Sequence, residues 1–130
     1  MRLICRTSID CAHNIEDSDE LLTKKCAEEH GHTYNIEVKL PLELLAKFYE
    51  VSFVDFQLIK QDIVDKIIGA YDHQNITKKF KIHTVEELAY AIKKQILALY
   101  WSKTGFGILH NPEELITVTI FETAKWGVEL

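Results

Sequence analysis

His32-Thr33-Tyr34-Asn35-Ile36-Glu37-Val38-Lys39-Leu40 alternates without a break, with His32, Tyr34, Ile36, Val38 and Leu40 set against Thr33, Asn35, Glu37 and Lys39. A period of two marks a half-buried β-strand, with one face on a core and the other in water. Pro41 cannot donate to a strand ladder, so it ends or edges that strand. Upstream, residues 2–13 alternate in the same way. Leu3, Cys5, Ile9 and Cys11 share one face, which ends two residues further on at His13, while Arg2, Arg6 and Asp10 take the other. Residues 14–29 between the two strands are polar and acidic and read as a long loop, a length that in compact domains usually carries function.

Downstream the period changes. Residues 42–50 fit either a short helix or an irregular connection. Asp55 opens a helix in which Phe56, Ile59, Ile63, Val64, Ile67, Ile68 and Tyr71 recur at three- and four-residue steps, with Gly69 at its end. Thr84 and Glu87 have the spacing of a capping box, and Val85, Leu88, Ala89, Ile92, Ile96 and Tyr100 form the buried stripe behind them. Residues 104–112, with Gly105 and Gly107, read as a loop. Leu115 to Glu122 reads as a strand, with Trp126 to Leu130 as a short partner. The order is strand, strand, helix, helix, strand, strand, without internal repeats. This predicts one α+β domain over residues 1–130, an antiparallel four-stranded sheet with two helices on one face. Free sheet edges in so small a chain suggest pairing between subunits.

Composition excludes several functions. Apolar residues make up 47% of the chain and charged residues 27%, ordinary globular proportions. A net charge of −5 argues against a nucleic-acid-binding surface, which needs a basic field. No stretch is long and apolar enough for a membrane span, and Arg6 and Asp10 break the layout of a secretory signal. Three cysteines at unrelated spacings are not a disulfide framework, so the chain is expected in a reducing cytoplasm. Cys5 and Cys11 fit small core residues. Cys26, among Lys24, Lys25, Glu28 and Glu29, does not.

The chemistry concentrates at Cys26-Ala27-Glu28-Glu29-His30-Gly31-His32. Histidines two apart on a strand point to one face, and His13 ends the neighbouring strand on the face that alternates apolar. Three imidazoles converging there would hold zinc with its fourth position open, the usual catalytic arrangement. A lone His-x-His is common by chance, and the spacing leaves Cys26 as either a fourth ligand or a base. Asp72-His73 is either a surface turn or a carboxylate orienting an imidazole for proton transfer. Glu122 is either an exposed strand end or a buried anchor for ligand N–H groups, since burying it without donors is costly. His83 and His110 read as ordinary loop residues.

In this order the clusters resemble the 6-pyruvoyltetrahydropterin synthase and 6-carboxytetrahydropterin synthase family. The signatures are Ile9-Asp10-Cys11-Ala12-His13, Cys26 with His30-Gly31-His32, Asp55-Phe56, Asp72-His73, Thr84-Val85-Glu86 and Glu122-Thr123, spanning nearly the whole chain. The resemblance implies the tunnelling fold (T-fold), typically a hexamer of two trimers with active sites at subunit interfaces. It implies zinc on His13, His30 and His32, Cys26 as thiolate base, and Asp72 and His73 as a proton relay presented by a neighbouring subunit. Thr84, Glu86 and Glu122 would hold a pterin. The implied substrate is 7,8-dihydroneopterin triphosphate, and no nucleic acid or membrane partner is expected.

The three-residue gap between Cys26 and His30 is similar to the bacterial 6-carboxytetrahydropterin synthases of queuosine and deazapurine pathways, which release acetaldehyde and triphosphate. Alternatives are the pyruvoyl enzyme, which eliminates triphosphate, and a catalytically silent zinc or pterin binder. In a branch that cleaves dihydroneopterin for folate, a Glu stands where this chain has Ala27. That argues against the branch, although Glu28 and Glu29 lie close by. The departures from the family pattern, such as Ile9, Cys11 and the residues before Asp55, remove neither a ligand nor the thiol.

Overall fold

In a computed structural model the described residues are 1–14, 30–104 and 112–130. Strand β1 (Arg2–His13) and strand β2 (His30–Pro41) pair antiparallel over their whole length, from Arg2 opposite Pro41 to His13 opposite His30. Strands β3 (Thr117–Phe121) and β4 (Gly127–Glu129) extend the sheet in the order β1-β2-β3-β4, every pair antiparallel. The alternation in the sequence is realised directly. Leu3, Ile9, Cys11 and His13 of β1 and Tyr34, Ile36, Val38 and Leu40 of β2 are buried, while Arg2, Arg6, Asp10, Thr33 and Asn35 are exposed. Four strands with helices packed on the buried face make the α+β layer expected.

The helical connection is more broken than its periodicity suggests. Helix α1 (Leu42–Tyr49) follows Pro41 at once, buries Leu44 and Leu45, and stops at Glu50, whose left-handed φ of 56° turns the chain so that the Val51 N–H returns to the Ala46 carbonyl at 3.1 Å. This settles the segment that the sequence left open. Asp55 does cap a helix, its Oδ1 accepting the Gln57 N–H at 2.9 Å. That helix, α2 (Phe56–Ile59), then widens into a π-helical turn (Lys60–Asp65) and later tightens into a 3-10 segment (Ile68–Tyr71). The stripe of Ile59, Ile63, Ile67, Ile68 and Tyr71 stays buried throughout. Burial of each such Ile is worth about 1.5–3 kcal/mol, enough to outweigh irregular backbone bonding. Gly69 lies within this stretch, where a Cβ would come 3.0 Å from the Val64 carbonyl oxygen.

A short helix α3 (Ile76–Phe80), absent from the sequence reading, is capped by Asn75, whose Oδ1 accepts the Lys78 N–H at 2.9 Å. Helix α4 (Val85–Thr104) starts as its capping box predicts: the Glu87 N–H donates to Thr84 Oγ1 at 3.2 Å. The Glu87 carboxylate reaches back to the N–H of His83 (2.8 Å) rather than to that of Thr84. Leu88, Ala89, Ile92, Ile96 and Tyr100 of α4 form the core against the sheet. A single helical turn, α5 (Pro112–Leu115), leads into β3. The predicted last strands begin later than their sequence limits, because that turn uses up Leu115 and a tight turn uses up Trp126.

Candidate metal centre

The register of β1 and β2 sets three imidazoles side by side. His13 lies opposite His30, and His32 opposite Cys11, all on the face that buries the core. The ring centroids are 4.5 Å apart for His13 and His30, 5.1 Å for His13 and His32, and 4.7 Å for His30 and His32. None of the pairs is stacked. Glu122 completes the group: continuing the β2–β3 register by one residue sets it opposite Tyr34. Its Oε1 lies 2.9 Å from His32 Nε2 and 3.6 Å from His13 Nε2. One ligand atom from each of the four residues falls within 4.8 Å of the others.

His13 tests whether this group suits a metal. It is 3% exposed, and its Nδ1 lies 2.6 Å from the backbone carbonyl oxygen of His83. A carbonyl only accepts, so Nδ1 carries the proton and Nε2 the lone pair. That Nε2 is buried without a hydrogen-bond donor among the described residues. A buried imidazole lone pair aimed at two other imidazoles and a carboxylate, and fixed from behind by a carbonyl, is the orientation metal ligands require. The four residues can therefore hold a divalent ion.

His83, read as an ordinary loop residue, thus orients the His13 imidazole through its backbone, for which a sequence carries no signal. Thr77 is a second residue that sequence reasoning missed. Its buried hydroxyl donates to the Ile82 carbonyl at 2.7 Å and accepts the N–H of Asn14 at 3.0 Å, anchoring the chain just past His13.

Asp72 and His73 form a separate group. Asp72 Oδ1 accepts from His73 Nδ1 at 2.9 Å and from the Asp10 N–H at 2.9 Å, while the His73 N–H donates to the Asp10 carbonyl. His73 sits at φ 57°, a left-handed conformation costly for a residue with a Cβ. His73 and His32 border one open cleft of about 490 Å³, with Asp10, Gly31, Thr33 and Gln74. Glu86 and Glu122 share a smaller pocket of about 190 Å³ with Val85, Trp126, Gly127 and Val128. Thr84 is not among that pocket's lining residues, its Oγ1 being engaged as the helix cap. Cys26, with Lys24, Lys25, Glu28 and Glu29, lies outside the described residues, as does His110. The other two thiols are poor nucleophiles: burial raises Cys5, while burial followed by the charges of Asp72 and Asp10 pushes Cys11 up to about 12.

No described helix is long and apolar enough to cross a membrane. The chain resembles the dihydroneopterin monophosphate aldolase of Pyrococcus furiosus, at 30% identity over 99% of this chain and 96% of that protein. It also resembles a putative 6-carboxy-5,6,7,8-tetrahydropterin synthase of Archaeoglobus fulgidus, at 26% identity over 69% of this chain and 70% of that one. Among solved structures, the 6-pyruvoyl tetrahydropterin synthase of Plasmodium falciparum superposes with a TM-score of 0.62 and 15% identity, covering 100% of this chain and 96% of the other. The Plasmodium vivax enzyme gives 0.61 and 16% over the same shares. The four-stranded sheet with its helices is thus the T-fold of those structures. The model of the 6-pyruvoyl tetrahydropterin synthase family matches residues 2–130, and with a relative aligned almost end to end, the chain belongs to this family of pterin-processing enzymes.

Proposed function

We propose that the chain is one T-fold domain over residues 1–130 acting as a zinc-dependent lyase, which shortens the C6 side chain of a phosphorylated 7,8-dihydroneopterin by breaking a carbon–carbon bond. The observation that carries this is the set of His13, His30 and His32, with the His13 lone pair held toward its partners by the His83 carbonyl. Zinc fits three neutral imidazoles with a fourth position open, and when bound it lowers the pKa of side-chain hydroxyls on the substrate. Glu86 and Glu122, together in one pocket, accept the guanidine-like N–H groups of the pterin ring, and Thr84, two residues before Glu86, assists them. For Glu122 this requires its carboxylate to leave His32. Cys26 takes the carbon-bound proton as thiolate. Asp72 holds the Nδ1–H of His73, leaving Nε2 to receive and return a proton. His73 borders the cleft beside its own His32, and in the assembled protein the pair is presented to the site of a neighbouring subunit. The working form is a cytoplasmic homo-oligomer, a hexamer built as a dimer of trimers.

The spacing of Cys26 and His30 favours the triphosphate as substrate, with 6-carboxy-5,6,7,8-tetrahydropterin, acetaldehyde and triphosphate as products, a step toward queuosine and related deazapurines. The end-to-end similarity to an aldolase favours a second reading, in which a monophosphate undergoes retro-aldol cleavage to 6-hydroxymethyl-7,8-dihydropterin and glycolaldehyde phosphate. Both break the side chain after its first carbon. Incubating the zinc-loaded protein with each phosphate ester and identifying the pterin and the released aldehyde tests the proposal. Acetaldehyde with the carboxypterin supports the first reading, and glycolaldehyde phosphate with the hydroxymethylpterin supports the second. A 6-pyruvoyl product that keeps every side-chain carbon, or binding without turnover of either ester, overturns the assignment as a carbon–carbon lyase.

A further inference from the structure

Trp126 is 75% exposed, yet it is not on a loose loop. Its carbonyl accepts the N–H of Glu122 at 3.0 Å and that of Thr123 at 3.3 Å. Its own N–H donates to Thr123 Oγ1 at 3.1 Å, and the Lys125 N–H donates to the same oxygen at 3.2 Å. The next residue, Gly127, runs so close to β3 that a Cβ there would lie 2.5 Å from the Ile120 carbonyl oxygen and 2.8 Å from the Phe121 ring. The turn from Glu122 to Gly127 is therefore held at both ends, and it sets the Trp126 backbone at the edge of the pocket that Glu122 also lines. Trp126 lines the pocket shared by Glu86 and Glu122, with Val85 and Val128 as its apolar remainder.

Single exposed apolar side chains are normal on protein surfaces and need no explanation. Here the chain ties the largest side chain to a rigid turn at the mouth of a pocket that has two carboxylates and aliphatic walls. A flat heterocycle with several N–H donors on one edge matches those features: the carboxylates take the donors and the indole takes the π-face. We propose that Trp126 is a positioning residue for the substrate ring, stacking on the pterin while Glu86 and Glu122 hold its edge. This rests on the pterin reading given above. Stacking tolerates any planar aromatic surface, so Phe at this position keeps part of the function and Ala loses it.

The test titrates the full-length, zinc-loaded protein with 7,8-dihydroneopterin by calorimetry. Loss of base-type stacking predicts that Trp126→Ala raises Kd by about tenfold or more, with Trp126→Phe recovering most of the affinity. Zinc content and oligomer size stay at wild-type values. A Trp101→Phe background leaves Trp126 as the only indole, and there saturating 7,8-dihydroneopterin protects its emission from acrylamide quenching. This second readout leaves Trp126 in place, so it stands even if Trp126→Ala fails to fold. Wild-type affinity in Trp126→Ala, or an indole equally open to acrylamide with and without ligand, overturns the assignment while the pterin reading survives. An indole already shielded without ligand, with Trp126→Ala dissociating the oligomer, assigns the residue to a subunit contact and also overturns it. Failure of the wild-type protein to bind 7,8-dihydroneopterin sinks the pterin reading itself, and the role of Trp126 with it.

Discussion

Replacing His32 with Ala is expected to weaken zinc binding by more than about 100-fold, since loss of even an outer-shell partner costs roughly 10–100-fold in metal affinity. His32 is one of three imidazoles in the cluster, at 4.7 Å from the His30 ring and 5.1 Å from the His13 ring. Without it, two imidazoles and the Glu122 carboxylate remain, and the carboxylate loses the partner it holds at 2.9 Å. His83→Ala is the matched control. The bond that orients His13 comes from the main-chain carbonyl of residue 83, not its side chain, so this variant keeps zinc near the wild-type level. Metal content after dialysis against a weak chelator separates the two variants. Equal retention by both would refute the assignment of His32.

Cys26→Ala is expected to have the opposite profile. It keeps its zinc and loses turnover by about 10²–10⁴, the range a positioned proton-transfer group supplies. The other cysteines cannot substitute. Burial raises the Cys5 thiol, and Cys11 is pushed up to about 12 by burial and then by the charges of Asp72 and Asp10, so neither is a thiolate near neutral pH. The expected pattern is unchanged metal content, retained binding of 7,8-dihydroneopterin, and release of aldehyde too slow to detect in the wild-type assay. Zinc lost together with activity would make Cys26 a ligand instead of a base.

These two variants probe features of unequal legibility in the sequence. The two long strands could be read because each buries one face and wets the other. That same alternation told which way His13 and His32 point, and His30 follows two residues before His32. Helix starts at Asp55 and Thr84 could be read because a short polar side chain accepting a free N–H is a local event. The break of the second helical stretch into π and 3-10 turns could not, because periodicity reports which residues are buried and is blind to the backbone pitch that buries them. The His83 carbonyl and the Thr77 hydroxyl are contacts across 70 and 63 residues, set by tertiary packing alone.

Glu122 shows a different limit. The sequence offered it as an anchor for ligand N–H groups, and the fold sets it against the histidines and the Glu86 pocket at once. A carboxylate at the end of an inward-facing pattern serves either neighbour, and only the strand register brings both within its reach. In the sequence Trp126 marks only the start of a strand. Its tie to the Glu122 turn depends on Thr123, which entered the family signature as the residue after the glutamate and here proves to be the acceptor that shapes the turn. Ala27, a single position, argues against dihydroneopterin cleavage of the aldolase kind, whereas similarity to an aldolase extends over 99% of the chain.

X-ray absorption at the zinc edge of the purified wild-type protein tests the central claim most directly. Three imidazoles and one light-atom ligand give a first shell of nitrogen and oxygen at about 2.0–2.1 Å, with the outer-ring scattering of histidine. A sulfur shell at about 2.3 Å would place Cys26 on the metal, and a protein that binds no zinc would leave the three histidines without the ion they are proposed to share.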